Sequence, residues 1–587
     1  MCAASNSYCR QKALLCLQRR YRLLRWFNES QGASSMNLFR NTAIVLLSAC
    51  SFAAPASFAE QDSPDLQRKV DQVFADYDKP NSPGCAVGVV RDGEFVYKKG
   101  YGEGSLELSV PLTTQSVFYM GSVSKQFTAA SVVLAAEQGY LSLDDDVRKY
   151  VPEIPAYGKP ITLRQMLHHT SGFRDILGLL LLAGRNFEDI HPTPELLDLL
   201  SRQKALNYMP GEEYLYSNTN FFLFSVIIKR ATGKPLSQFA EENIFKPLGM
   251  THTRFYDDHS VVVPGRVPAY EPLPDGGFRI DWSTNFDKIG DGGLMSSVDD
   301  LLLWDRNFYA NKLGKGTLLK EIQAPGVLNS GKHIEYALGL IISTYRGLPI
   351  VEHGGALFGY RTELLRFPQQ KFSVITLCNV GTSNPSRLSY EVADLYFAGQ
   401  LSPEPPVSAA ASVDAQPFAG WYRNLESHSV LEITASKEGV GAFGTLFKPR
   451  DATHFVATAG PEIAFGRQPN SGIRLTVNFK DTSPQIFERY EPLKASAENF
   501  AQYAGEYTSA ELQATYRFAV KDGKLTLAMN WQEPAVLEAT VLDEFQGPFG
   551  TAIVFRRDAA GHITGCDLFA GRVRNIAFAR SVVSSTK

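Results

Sequence analysis

The sequence predicts an α+β protein: one antiparallel sheet assembled from both ends of a helix-rich region, followed by two small antiparallel β-barrels. Three observations predict it. Strand-like stretches stand at Cys85–Val90 and Glu94–Lys98 and again at Pro349–Glu352, Arg361–Phe367 and Phe372–Leu377, with a mostly helical mass between them. Beyond residue 417 the pattern changes to short alternating segments, Gly-rich turns and many aromatics, which is all-β in character. That part also repeats itself: Phe418-Ala419-Gly420-Trp421-Tyr422 recurs as Tyr503-Ala504-Gly505-Glu506-Tyr507, and Phe455 and Phe465 recur as Phe545 and Phe555. Two copies of this size indicate two barrels rather than a solenoid, which needs shorter and more numerous repeats.

With 587 residues and 44% hydrophobic content, several cores are expected. A formal charge of −3, with no basic run in the body of the chain, excludes a nucleic-acid footprint. Residues 1–59 read as an upstream extension plus a signal peptide. Met36-Asn37-Leu38-Phe39-Arg40 is a positive n-region, Thr42 to Ala54 is apolar, and Ser57-Phe58-Ala59 offers small residues for cleavage. Met36 is therefore the expected start. Leu47-Ser48-Ala49-Cys50 matches a lipobox, so a lipid anchor at Cys50 competes with cleavage after Ala59. Either route exports the body, to the periplasm or the outside, with or without a membrane anchor.

The body divides into 60–400, a Pro/Ala/Ser-rich linker over 401–417, and barrels over 418–493 and 497–587. Pro64–Tyr77 carries Leu66, Val70, Val73, Phe74 and Tyr77 at helical spacing. Asp92-Gly93 favours a tight hairpin between the first two strands. A helix opens at Ser122 and continues to about Glu137, with Val123, Phe127, Ala130 and Leu134 on one face. Ser296 and Ser297 read as caps for a helix over Val298–Tyr309. Of the seven cysteines, Cys85, Cys378 and Cys566 remain in the body, too sparse a set for a disulfide framework. No Cys-x-x-Cys occurs and His168-His169 lacks helical ligand spacing, so neither a metal nor a cofactor is expected. Those two histidines read as loop hydrogen-bonders.

Ser122 and Lys125, three residues apart on a helix, put a hydroxyl and an amine on one face, a nucleophile beside a base. Ser-x-x-Lys also occurs at Ser201/Lys204 and Ser584/Lys587, but only Ser122 follows an apolar lead-in at a helix start. Tyr216-Ser217-Asn218 supplies a phenol and an amide two apart, and His353-Gly354-Gly355-Ala356 places glycines on a strand where a substrate backbone can come close.

In order and spacing these stretches resemble the three motifs of the serine penicillin-recognising family, which includes class C β-lactamases, DD-peptidases, esterases and D-aminopeptidases. Ser122-Val123-Ser124-Lys125 resembles the first, Tyr216-Ser217-Asn218 the second, 94 residues on, and His353-Gly354-Gly355 the third, a further 137 on. The resemblance implies an α/β sandwich with a central antiparallel sheet, flanking helices and a helical subdomain. It implies acyl transfer to Ser122, with Lys125 and Tyr216 sharing the proton and Asn218 holding Lys125 or the substrate amide. The oxyanion hole would be the N–H groups of Ser122 and Ala356, with His353 and Gly355 lining the substrate strand. The family usually presents Lys-Thr-Gly where this chain has His353-Gly354-Gly355, which disfavours tight recognition of penicillins or of a free peptide C-terminus. That departure suits esterases and D-aminopeptidases acting on a small-molecule or short-peptide substrate, with a β-lactamase or DD-peptidase as the alternative. A non-catalytic cell-wall or partner-binding protein with a relic hydrolase domain is the reading from another class. D-aminopeptidases also carry two C-terminal barrels, a loop of the last reaching the site, and Asp558–Arg572 is the candidate by position. On the family sheet Cys85 and Cys378 fall on neighbouring strands, so they either pair or pack as free thiols.

Overall fold

The computed structural model describes residues 63–281, 287–403, 413–457, 461–467, 472–478, 484–493, 497–529 and 533–581. The expected leader with Met36, Cys50 and Ala59, most of the expected linker, and the Ser584/Lys587 pair lie outside the described residues.

The central sheet has six antiparallel strands: β1 (Cys85–Arg91), β2 (Glu94–Tyr101), β3 (Ile341–Tyr345), β4 (Leu348–Leu357), β5 (Tyr360–Phe367) and β6 (Phe372–Cys378). Their spatial order is β3-β4-β5-β6-β1-β2, so the two ends of the region meet where β1 pairs with β6. Side chains alternate across β1 as the pleat requires. Cys85, Val87 and Val89 face a core with Leu66, Val70, Leu388 and Val392, from the helices α1 (Pro64–Val73) and α6 (Pro385–Tyr396). Ala86 and Val90 face the larger core on the opposite side, which includes Trp304 of α5 (Val298–Ala310). Ser297 caps α5, its Oγ accepting from Asp300 N–H at 3.2 Å, while Ser296 bonds Thr253 at 2.8 Å.

Cys85 and Cys378 stand directly opposite in the β1–β6 register and are joined as a disulfide. Of the two alternatives, packed thiols are therefore excluded. Cys566 is a buried free thiol.

The helix that follows Ser122 departs from its expected form. Gly121–Val123 is a 3-10 turn, and α2 proper runs Ser124–Glu137. Instead of one apolar face it is buried from Ser124 through Ala135. Most of its polar groups find partners inside the protein, Gln126 Nε2 being the exception among the described residues. Ser124 donates to Gly121 O at 2.6 Å, Thr128 to Gly290 O at 2.8 Å, and Gln126 accepts from Trp304 Nε1 at 2.6 Å.

Strands between Gly420 and Tyr490 close into an eight-stranded barrel, and a second, nine-stranded sheet built from strands between Gly505 and Arg580 curls nearly closed. The sequence repeat is structural. In each copy a 3-10 turn precedes a strand that begins on a glycine, Gly420 at φ 139° and Gly505 at φ 145°. In each the strand's tyrosine donates back four residues, Tyr422 to Phe418 O at 2.8 Å and Tyr507 to Tyr503 O at 3.0 Å. Phe455, Phe465, Phe545 and Phe555 are among the buried rings of the two cores.

The first barrel keeps a core of its own, whereas the second shares one with the hydrolase region. At that seam Tyr516 donates to Leu182 O at 2.8 Å, and a buried ion pair links Arg174 to Glu511 at 2.6 Å.

Cross-linking residues 293 apart in sequence restricts the unfolded chain strongly. Cys85→Ser with Cys378→Ser is expected to cost about 2–4 kcal/mol in urea unfolding. An unchanged midpoint would show that the link contributes nothing to stability.

Candidate active site

Four segments converge on Ser122. The 3-10 turn presents its half-buried hydroxyl, and Lys125, on the first turn of α2, is fully buried beneath it. Lys125 Nζ is 3.1 Å from Ser122 Oγ, 2.9 Å from Asn218 Oδ1 and 2.5 Å from Asp291 O. An ammonium has three donors, and here all three have acceptors. When the amine is neutral, two N–H groups still serve Asn218 and Asp291, leaving the lone pair for Ser122. Burial, with nearby Lys288 and Arg572, pulls the Lys125 pKa down to about 7, against the opposing pull of Asp291 and Asp175.

Asn218 opens the helix α4 (Asn218–Thr232) and is held from behind. Asp175 Oδ2 accepts from its backbone N–H at 2.7 Å and from its Nδ2 at 2.9 Å, which turns Oδ1 towards Lys125. Asp175 also caps the helix α3 (Ile176–Leu182), its Oδ1 accepting from Leu177 and Gly178 N–H. Asn218 therefore holds Lys125, one of the two roles expected of it. Asp175 itself is a residue that sequence reasoning missed; its place ahead of an apolar run signalled a helix cap and nothing more.

The Tyr216 ring faces Lys125 Nζ at 4.8 Å from its centroid, and the phenol is buried with no hydrogen bond among the described residues. Burial drives its pKa well up; the nearby Ser122 hydroxyl and Arg572 oppose that rise. Beneath it lies His169, ring to ring at 4.2 Å. His169 Nδ1 accepts from Ser217 N–H at 3.1 Å and burial holds the ring neutral, while His168 bonds Tyr336 O at 3.2 Å. Both histidines shape the loop, as expected of them.

On the other flank, β4 runs tight against the Gly121–Val123 turn. A methyl on Gly355 would lie 2.1 Å from Met120 O and 3.0 Å from Ser122 N, and one on Gly121 would lie 2.6 Å from Ala356 N. Only glycine permits this approach, and it brings the N–H groups of Ser122 and Ala356 to one place. Thr362 of β5 fastens the contact by donating to Met120 O at 2.9 Å. His353 donates from Nδ1 to Gly354 O at 2.7 Å, so its Nε2 accepts from the Tyr336 hydroxyl at 3.1 Å. Burial, then the Lys125 charge, lowers the His353 pKa to about 4, so the ring is neutral at pH 7. Tyr336, 1% exposed, was not legible in the sequence, since its role exists only through His353.

The second barrel also reaches the site, through the last residue of the expected segment. Arg572 lies with its guanidinium carbon 4.6 Å from the Tyr216 ring centroid. Asp558 and Asp567 do not join it: Asp558 is in an exposed turn and Asp567 pairs with Arg556.

A serine hydroxyl against a dry, weakly basic lysine, with two backbone donors beside it and an antiparallel sheet behind, defines a serine hydrolase of the β-lactamase fold. The sequence profile described as Beta-lactamase matches residues 70–397, and the chain belongs to that family. The chain is similar to the D-aminopeptidase of Cereibacter sphaeroides (strain ATCC 17029 / ATH 2.4.9), with 29% identity over 450 residues, 75% of this chain and 82% of that one. It is 27% identical to the D-aminopeptidase of Brucella ovis over 546 residues, 88% of this chain and 99% of that one. Among solved structures, the octameric penicillin-binding protein homologue from Pyrococcus abyssi superposes with a TM-score of 0.51 at 21% identity, covering 80% of this chain and 99% of that one. That last likeness concerns the fold alone.

If the Ser122 N–H is an oxyanion donor, as the sequence leads one to expect, Gly355→Ala should lower kcat by about 10²-fold or more while leaving the far-ultraviolet spectrum intact, because the added methyl would crowd that N–H. Wild-type kinetics in that variant would mean β4 does not fix the hole.

Proposed function

We propose that the chain is an exported hydrolase of small amides or esters, D-aminopeptidase- or esterase-like, working through an acyl-enzyme on Ser122. The observation that carries this reading is the 3.1 Å contact between Lys125 Nζ and Ser122 Oγ in a fully buried, hydrogen-bonded setting. In the first step Ser122 Oγ bonds to the substrate carbonyl carbon while its proton passes to the neutral Lys125 amine. The oxyanion rests on the N–H groups of Ser122 and Ala356. As the tetrahedral species collapses, the carbon–nitrogen or carbon–oxygen bond breaks, and Tyr216 donates a proton to the departing atom, recovering one from Lys125. Water then attacks the acyl ester, its proton returns through the same pair, and the acid leaves with Ser122 restored.

The geometry favours Lys125 over Tyr216 as the base, since burial lowers the lysine's pKa and raises the tyrosine's. The D-aminopeptidase relatives support amide substrates of D-residues. Export is supported by the Cys85–Cys378 link, because structural disulfides persist chiefly in oxidising compartments.

Ser122→Ala should abolish turnover across a panel of D-amino-acid amides, p-nitrophenyl esters and nitrocefin, with the first two classes turned over fastest by the wild type. Equal rates for wild type and variant on every substrate would end the hydrolase reading. Because the base must be neutral, kcat/KM should rise with pH along a single limb centred near 7 and level off above it. A limb absent between pH 5 and 9 would remove Lys125 from the proton path.

A further inference from the structure

The Asp175 carboxylate is 0% exposed, and the partners that converge on it are neutral N–H groups. Leu177 and Gly178 donate to Oδ1 at 3.0 and 3.2 Å, while the backbone N–H and Nδ2 of Asn218 donate to Oδ2 at 2.7 and 2.9 Å. Both oxygens must accept, which is the work of an ionised carboxylate. Capping α3 needs only one oxygen, and a serine would supply it. The second oxygen goes wholly to Asn218. A full charge held out of water for that one contact is costly, so its use is to be sought beyond the amide.

Beyond the amide stands the amine. The same Asn218 side chain that donates Nδ2–H to Asp175 accepts at Oδ1 from Lys125 Nζ at 2.9 Å, and Lys125 is 3.1 Å from Ser122 Oγ. One planar group therefore joins the carboxylate to the amine. Donation to an anion pushes electron density towards the amide oxygen, and hydrogen bonds in such a chain strengthen one another in a dry setting. An ammonium gains more from that polarised oxygen than a neutral amine does.

We propose that Asp175 is a positioning residue of the proton path, which stabilises protonated Lys125 through the Asn218 amide as Ser122 attacks; this role rests on the reading of Lys125 as the base. The proton of Ser122 goes to Lys125 Nζ while Oγ bonds to the carbonyl carbon. Asp175 takes no proton and stays ionised throughout. Of the other charged groups around the amine, Asp291 acts in the same sense as Asp175, and Lys288 and Arg572 oppose them. Lys288 and Asp291 pair with one another. Burial keeps His169 and His353 neutral and Tyr216 protonated.

The test uses the full chain with D-alanine p-nitroanilide and p-nitrophenyl acetate as probes, and reads the pH at the midpoint of the kcat/KM limb. Without the carboxylate the ammonium is less favoured and loses its proton at lower pH. Asp175→Asn should therefore move the limb below its wild-type midpoint and lower kcat by about 10–100-fold. Mere loosening of the packing would do the opposite, because water reaching Lys125 relieves the desolvation that holds its pKa down, and the limb would rise. Asp175→Ser keeps an oxygen for the cap of α3 but gives up Asn218, and should move the limb the same way as Asp175→Asn. Asn218→Ala, which cuts the chain with Asp175 in place, should also lower the midpoint, and adding Asp175→Asn to it should cost little more. The midpoint does not depend on how much enzyme is folded. A midpoint unchanged or raised in these variants, or losses that multiply in full in the double variant, overturns the role of Asp175 and leaves the hydrolase reading intact. A wild type that turns over neither probe, or shows no limb, overturns the base reading and this role with it.

Discussion

Everything around the site answers to one buried amine. Taking Lys125 out of water costs several kcal/mol unless its hydrogens find acceptors, and the cost is what makes it weakly basic. The three acceptors come from separate parts of the chain: its own turn through Ser122, the start of α4 through Asn218, and the loop carbonyl of Asp291. Two of them are themselves held, Asn218 by Asp175 and the Asp291 loop by the buried Lys288 contact. Loosening any of these either admits water to the amine or leaves an N–H without a partner, and in both cases its proton affinity rises or its aim is lost.

The other neighbour of Ser122 is backbone. β4 can lie against the Gly121–Val123 turn only because Gly121 and Gly355 lack side chains, and Thr362 holds the two together across the sheet. The strand is in turn positioned by β5 and β6, and β6 is tied to β1 by register and by the Cys85–Cys378 link. The N–H groups of Ser122 and Ala356, the proposed oxyanion donors, thus sit on backbone held by the sheet, as suits groups that must be in place before charge develops.

The barrels differ in how they relate to this centre. The first docks on the second, with Arg423 and His428 meeting the buried Glu544 at 2.6 and 2.8 Å. The second merges its core with the hydrolase region and closes the seam with the Arg174–Glu511 pair, both residues almost fully buried. Removing one partner of such a pair would strand a charge in a dry interface, which typically costs 3–5 kcal/mol. That rigidity is what allows a turn from a remote domain to hold Arg572 against Tyr216.

By itself the sequence determined the α+β class, the family motifs, the paired barrels and the identity of Ser122, Lys125, Tyr216, Asn218, His353, Gly355 and Ala356 as the residues to bring together. Periodicity, repeats and motif spacing are local or one-dimensional signals, so they survive without coordinates. The tertiary structure decided what depends on approach between distant segments: that α2 is buried on every side, that Cys85 and Cys378 are joined, that Asp175 orients Asn218, that Tyr336 occupies His353, and that Arg572 is the part of the last barrel that arrives. No local pattern marks those residues, because the groups they act on stand as much as 356 positions away along the chain, as Arg572 does from Tyr216.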